Sequence, residues 1–157
     1  MTTIDIGLDQ NQRRAITESL SAVLADTAAL YQKTHAYHWN VTGPNFPALH
    51  ALFETQYREM WAALDEIAER IRALGAFAPA SGAALQALAA IKSAEETPPA
   101  AMDMVANLLA DHETLIRRAR TALAAAGEAG DAASEDLLTV RISVHEKTAW
   151  MLRATIG

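Results

Sequence analysis

No cysteine occurs among the 157 residues of the chain. Its absence excludes disulfides, zinc thiolate sites, cysteine-ligated iron–sulfur clusters and a thiol nucleophile, and it fits a reducing compartment. No apolar run reaches the ~18 residues of a membrane span. The opening MTTIDIG lacks the basic and apolar regions of a signal peptide, so a cytoplasmic protein is expected. Positive charge is scarce: 13 Lys and Arg against 19 Asp and Glu leave a net charge of −6. That balance opposes general attraction to nucleic acid or anionic membranes and agrees with collecting cations.

Prolines and glycines are also few, five and seven, and they fall at a handful of breaks. The Ala/Leu-rich stretches between the breaks predict four helices, near residues 9–39, 46–74, 101–126 and 131–156. Gly75 and Gly127 are placed just past helix ends, where a left-handed cap is easiest for glycine. Short loops make antiparallel hairpins of the first pair and of the last pair. From Gly75 to Ala100 runs a much longer connection, which suits one crossover as in ferritin-like bundles, with Ser81 capping a short helix through Ile91. The expected fold is all-α: a ferritin-like four-helix bundle, with a short extra helix in the long crossover between helices two and three. Residues 1–157 are read as one domain, long enough to bury roughly 68 to 70 per cent of its unfolded surface.

Along the first helix, Leu20, Leu24, Tyr31, His35 and His38 follow three- and four-residue steps, so the histidines share its packed stripe. Along the second, His50, Glu54, Asp65 and Glu69 span an arc of roughly 100°. Arg58 and Arg72 lie near the same arc, and a salt-bridged surface is the plain alternative. A histidine on an apolar stripe is likewise most often a satisfied core residue. What favours chemistry is the combination: imidazole and carboxylate without thiolate suit iron, manganese or zinc, and the i,i+4 pair Asp65 and Glu69 can reach one ion.

At a rise of about 1.5 Å per residue, His50 and Asp65 stand roughly 22 Å apart on one helix. One ion cannot touch both. Di-iron bundles build an internal site with Glu-x-x-His on two helices, and this chain contains no Glu-x-x-His. The remaining place is the surface between subunits. If two second helices cross about a twofold axis, His38 and His50 of one subunit can approach Asp65 and Glu69 of the other, and two equivalent sites follow.

Three stretches carry a family resemblance: His38-Trp39-Asn40-Val41; Gly43-Pro44-x-Phe46-x-x-Leu49-His50-x-x-Phe53-Glu54; and Asp65-x-x-Ala68-Glu69-Arg70-Ile71-x-x-Leu74-Gly75. With Val144-His145-Glu146-Lys147-Thr148-Ala149-Trp150-Met151-Leu152 near the end, they resemble the Dps proteins, or mini-ferritins, over nearly the whole chain. The resemblance implies a hollow shell of twelve subunits with ferroxidase centres between twofold-related subunits. His38 and His50 from one subunit and Asp65 and Glu69 from its mate would bind iron, with Glu54 contacting or bridging the metals. Fe(II) would be oxidised, commonly by hydrogen peroxide, and stored as Fe(III) mineral, which removes both ingredients of hydroxyl radical formation.

Other residues carry weaker expectations. Trp39 matches a family tryptophan that intercepts stray oxidising equivalents, against interface packing as the plain reading. Trp61, Trp150 and Met151 are assigned to core or interface, His35 to a packed position, against a supporting or transient iron-accepting role one turn from His38, and His112 and His145 to structural roles. Asp131 and Asp136 match acidic positions lining an iron-entry pore in the family, set against helix-start charge, and Val140 stands where a further pore carboxylate is expected. The chain has only three lysines, Lys33, Lys92 and Lys147, and its amino-terminal stretch mixes Asp5 and Asp9 with Arg13 and Arg14. Weak or no DNA binding is therefore expected, because phosphate neutralisation needs several accessible cations. The rival readings are a nucleoid-associated, DNA-protecting shell with little ferroxidase activity, and a purely structural bundle with salt-bridged helix faces.

Overall fold

The computed structural model describes residues 4–157. Met1 to Thr3, part of the stretch read above for a signal peptide, lie outside the described residues. Five helices follow one another: α1 (Gln10–Asn40), α2 (Phe46–Ala73), α3 (Gly82–Leu88), α4 (Ala101–Ala129) and α5 (Ala132–Ile156). The four long ones form the expected bundle, and α3 is the short helix of the crossover. Among the described residues no helix is long and apolar enough to cross a membrane.

The ends have local causes. Asp9 caps α1 in a reciprocal box, its carboxylate accepting from Gln12 N at 2.9 Å while Gln12 Oε1 accepts from Asp9 N at 2.8 Å. Pro47 lies in the first turn of α2, where its missing N–H costs no helical bond. After α2 the chain turns at Gly75, with φ of 95°, and a side chain there would also collide with Ile4, whose Cδ1 lies 2.2 Å from an ideal Cβ position. Two expected boundaries move. Helix α4 continues through Gly127 to Ala129 and ends on Gly130, the residue that takes the left-handed conformation, at φ 73°. Ser81 caps α3 as expected, its hydroxyl accepting from Ala84 N, but the helix stops at Leu88 and Ile91 follows as a buried anchor in a bend.

Cross-helix pairs set the register. Helix α1 runs antiparallel to α2, with His38 beside His50 and Tyr31 beside Tyr57. It also runs antiparallel to α4, through Lys33–Asp111 and Asp26–Arg118. Helices α2 and α5 are antiparallel too, tied near one end by Arg70–Asp131 and further along by Glu59–Arg141. Between them lies one apolar core that includes Leu20, Leu30, Phe53, Ile67, Leu108 and Leu152, all fully buried. Burying a side chain of that size stabilises by about 1.5–3 kcal/mol, so the bundle is held mainly by these layers.

The crossover is fastened to the bundle by Asp26, with further bonds from Tyr37 to Glu95 at 2.7 Å and from Arg118 to the Leu88 carbonyl at 2.7 Å. Asp26 is wholly buried, and its Oδ1 accepts from the backbone N–H of Ala90 at 2.7 Å and of Ile91 at 3.0 Å. Arg118 Nε lies 3.2 Å from Oδ2 and supplies the countercharge that burial demands.

Candidate metal centre

His38 ends α1 on its buried side, and His50 follows in the first turns of α2, half-buried. The tight turn at Gly43, with φ of 106°, folds the two helix ends together. The rings stack, with centroids 3.8 Å apart and planes within 18°. Each bonds the other's backbone: His38 Nδ1 lies 2.7 Å from His50 O, and His50 Nδ1 lies 2.8 Å from His38 O. A carbonyl oxygen only accepts, so Nδ1 carries the hydrogen on both rings. In the neutral imidazole that fixes Nε2 as the lone-pair atom on each, the arrangement a metal-ligating histidine needs.

Glu54 stands one turn beyond His50, half-buried. Its Oε1 accepts from Arg58, at 2.8 Å from Nε and 2.7 Å from Nη2. This bond from Arg58, with further charge from Arg58, His38 and His50, holds its carboxyl below the usual carboxylate range against a smaller opposing effect of burial. The salt bridge on this face is therefore real but local. Arg72, the other arginine of that arc, bonds the carbonyl of Ala76 and lies 4.4 Å over the Phe77 ring.

Asp65 and Glu69 are exposed, four and five turns further along the same unbroken helix. Asp65 lines an open groove with Trp61, Leu24, Ala28 and Leu85, between the bundle and the crossover. Among the described residues no three His, Asp or Glu converge on one possible ion position. The subunit thus joins His38 and His50, keeps Glu54 one turn on in the grip of Arg58, and leaves Asp65 and Glu69 apart from them.

Tyr57 completes the histidine end, and nothing in the sequence reading singled it out. Its ring meets His38 edge-on at 5.2 Å and stacks on His35 at 3.9 Å. It lies seven residues after His50, two turns along one face, and that spacing was the available signal. His35 is half-buried against Tyr57 and Trp39, and burial, together with the charges of His38 and Arg58, pushes its pKa down.

Other expectations move. Trp61 and Trp150 are 67% and 61% exposed and Met151 is exposed as well, so they are not core in the subunit. Trp39 is also exposed, at 65%. Asp136 and Val140 are exposed on α5, but Asp131 is buried: both its oxygens accept from Arg70 Nη2, at 2.7 and 2.8 Å, and its carboxylate caps α5 through Ser134 N. Burial opposes ionisation of Asp131, but hydrogen bonds from Arg70 and Ser134, with the arginine charge, outweigh it and lower the pKa.

A family model described as ferritin-like domain matches residues 17–157. A low temperature-induced protein of Nostoc sp. is 42% identical over 157 residues, covering 99% of this chain and 88% of its own. The DNA protection during starvation protein of Brevibacillus brevis is 38% identical over 135 residues, 86% of this chain and 90% of its own. In three dimensions the chain matches a Dps protein of Vibrio cholerae, described as one of the ferritin-like diiron-carboxylate proteins, with TM-score 0.94 and 34% identity over 100% of this chain and 98% of that one. Motifs, fold and relatives agree, and the chain belongs to the Dps family of ferritin-like proteins.

Proposed function

We propose that the protein is an iron store and ferroxidase whose centres form between two subunits. His38 and His50 of one subunit, with Glu54 beside them, bind Fe(II) together with Asp65 and Glu69 of a twofold mate. The reciprocal lock of His38 and His50 carries this reading, because it places the hydrogen on Nδ1 of both stacked rings and leaves an Nε2 lone pair on each. Two imidazoles alone make an incomplete site, and Asp65 and Glu69 form a second incomplete half roughly 22 Å away. A twofold axis turns the halves into two whole sites. The exposed Trp61 and the groove beside Asp65 suit an occupant that buries them, and the proposed occupant is a second copy of this chain.

The chemistry follows from the ligand set. Neutral imidazoles hold Fe(II) without adding charge, while the carboxylates favour the harder Fe(III) product. Two Fe(II) ions each give one electron to hydrogen peroxide; its O–O bond breaks, and with two protons it leaves as two waters and two Fe(III). No hydroxyl radical is released when both electrons arrive together. The Fe(III) then enters a mineral inside a shell of twelve subunits. Exposed Asp136 suits the entry pore better than Asp131, whose carboxylate is already bound to Arg70.

Subunit mixing tests the shared site. A His38→Ala, His50→Ala subunit is reassembled with an Asp65→Ala, Glu69→Ala subunit after reversible dissociation. A mixed dimer holds one intact and one wholly broken centre, so Fe(II) oxidation partly returns although each parent is inactive. No return despite proven mixing defeats the proposal.

A further inference from the structure

A second polar cluster lies inside the bundle, apart from the histidine pair just described. Arg141 of α5 is buried, and its guanidinium takes both oxygens of Glu59 on α2, Nη1 bonding Oε1 and Nη2 lying 2.9 Å from Oε2. Nη2 also lies 3.0 Å from Nε2 of buried His145. Arginine can only donate, so His145 Nε2 presents its lone pair and the proton sits on Nδ1. That Nδ1 donates to Nδ1 of His112 on α4, 3.0 Å away. His112 therefore carries its hydrogen on Nε2, a buried atom without a partner.

Gln56 belongs to the same layer. The α2–α5 pairs Arg70–Asp131 and Glu59–Arg141 fix an antiparallel register, which sets Gln56 level with His145. Both polar atoms of its buried amide lack a partner. Two carboxylate oxygens and an imidazole lone pair thus come from α2 and α5 around one guanidinium, with the unpartnered Gln56 amide at the same level of the bundle. Such a mixed oxygen and nitrogen set is what a divalent transition-metal ion takes.

We infer that Arg141 occupies a latent divalent-metal site between α2 and α5 and keeps free metal out of it. Its charge is permanent and tethered, since a guanidinium does not deprotonate in proteins. Glu59 and His145 are then ligands already spoken for, and iron chemistry is confined to sites elsewhere. The inference stands whether or not the shared ferroxidase centre exists, because it concerns different residues.

Removing Arg141 tests it. In the assembled protein, Arg141→Ala and Arg141→Met are titrated with Co(II) without oxygen and compared with the unmodified chain by visible absorption and ion counting. Each variant gains one tightly bound Co(II) per subunit, at least tenfold tighter than any matching site in the parent, and Co(II) raises its melting temperature. Adding His145→Phe or Glu59→Gln abolishes the gain. Unchanged stoichiometry, or an extra ion indifferent to His145 and Glu59, overturns the inference. So does a failure of both variants to fold with Co(II) present, because the ion should replace the lost countercharge.

Discussion

His38 and His50 each donate their Nδ1 hydrogen to the other's backbone carbonyl, at 2.7 and 2.8 Å, so each imidazole is oriented by the other residue's main chain. Only one of the two bonds is lost when one side chain is truncated, because the carbonyl at that position stays. His38→Ala therefore leaves His50 bonded but without its stacked neighbour. Initial Fe(II) oxidation should fall by at least the ~10–100-fold that loss of an orienting partner costs metal sites, and Gln at either position should not restore it. Stopped-flow oxidation with peroxide, alongside a thermal melt that excludes unfolding, measures this. Activity within twofold of the parent contradicts the ligand role.

Arg58 should compete with metal for Glu54. Its Nε and Nη2 both bind Glu54 Oε1, which occupies one of the two carboxylate oxygens and offsets the charge that would attract an ion. Arg58→Gln should tighten the first Fe(II) binding event, seen anaerobically by calorimetry, and Glu54→Gln in the same background should cancel the gain. Weaker binding in Arg58→Gln means that Arg58 orients Glu54 rather than withholding it.

Much of this architecture was legible because it is written in local patterns. Glycine and proline punctuation located the four long helices, and the missing Glu-x-x-His with the long His50–Asp65 separation pointed away from an internal centre. What escaped depends on partners distant in sequence. Arg70 meets Asp131 across 61 positions and His112 meets His145 across 33, distances at which no spacing rule operates. Gly127 and Gly130 look alike as helix stops, and the choice between them follows from how far α4 must run before turning into α5. The exposed Trp61 and Trp150 show the other limit: periodicity and apolar character do not say whether a side chain is covered within its own subunit.

Acid should loosen the bundle from inside. Burial, first, and the charge of Arg141 push His112 down to about 3, and burial with the charges of His112 and Arg141 holds His145 well below its ordinary value. Both are neutral in the folded chain while the unfolded chain protonates them near pH 6.5. Unfolding thus takes up protons between about pH 6.5 and the lowered values. Stability is full above that window and declines as pH falls through it, by at most about 1.4 kcal/mol per pH unit for each histidine. His112→Phe should flatten the decline in chemical denaturation from pH 7 to 4; an unchanged slope refutes the assignment.

DNA binding should be weak. Of the three lysines, Lys33 is buried in an ion pair with Asp111, its Nζ 2.6 Å from Oδ2, which leaves Lys92 and Lys147 exposed. Arg120 and Arg153 are engaged with Glu146 and Glu113, at 2.5 and 2.7 Å. Phosphate contacts need accessible cations, and few remain on an acidic chain. A gel shift at roughly 150 mM salt should show no retention at nanomolar protein, and clear retention would favour the rival reading of a DNA-protecting shell.

Asp26 should control the crossover. Its Oδ1 caps the N–H groups of Ala90 and Ile91, and Arg118 balances its charge. Asp26→Ala strands two backbone donors and an arginine, and removing one partner of a buried pair costs on the order of 3–5 kcal/mol. Asp26→Asn keeps an acceptor oxygen and loses only the charge, so it should cost less. The stretch around Ala90 and Ile91 should also become open to protease in the native protein, because its hydrogen bonds to α1 are lost before the bundle unfolds, whereas Glu95 stays tied to Tyr37 of α1. Limited proteolysis with mapping of the first cut distinguishes this from global destabilisation: early cleavage inside the crossover supports the latch, whereas cuts spread over all helices at the same rate refute it.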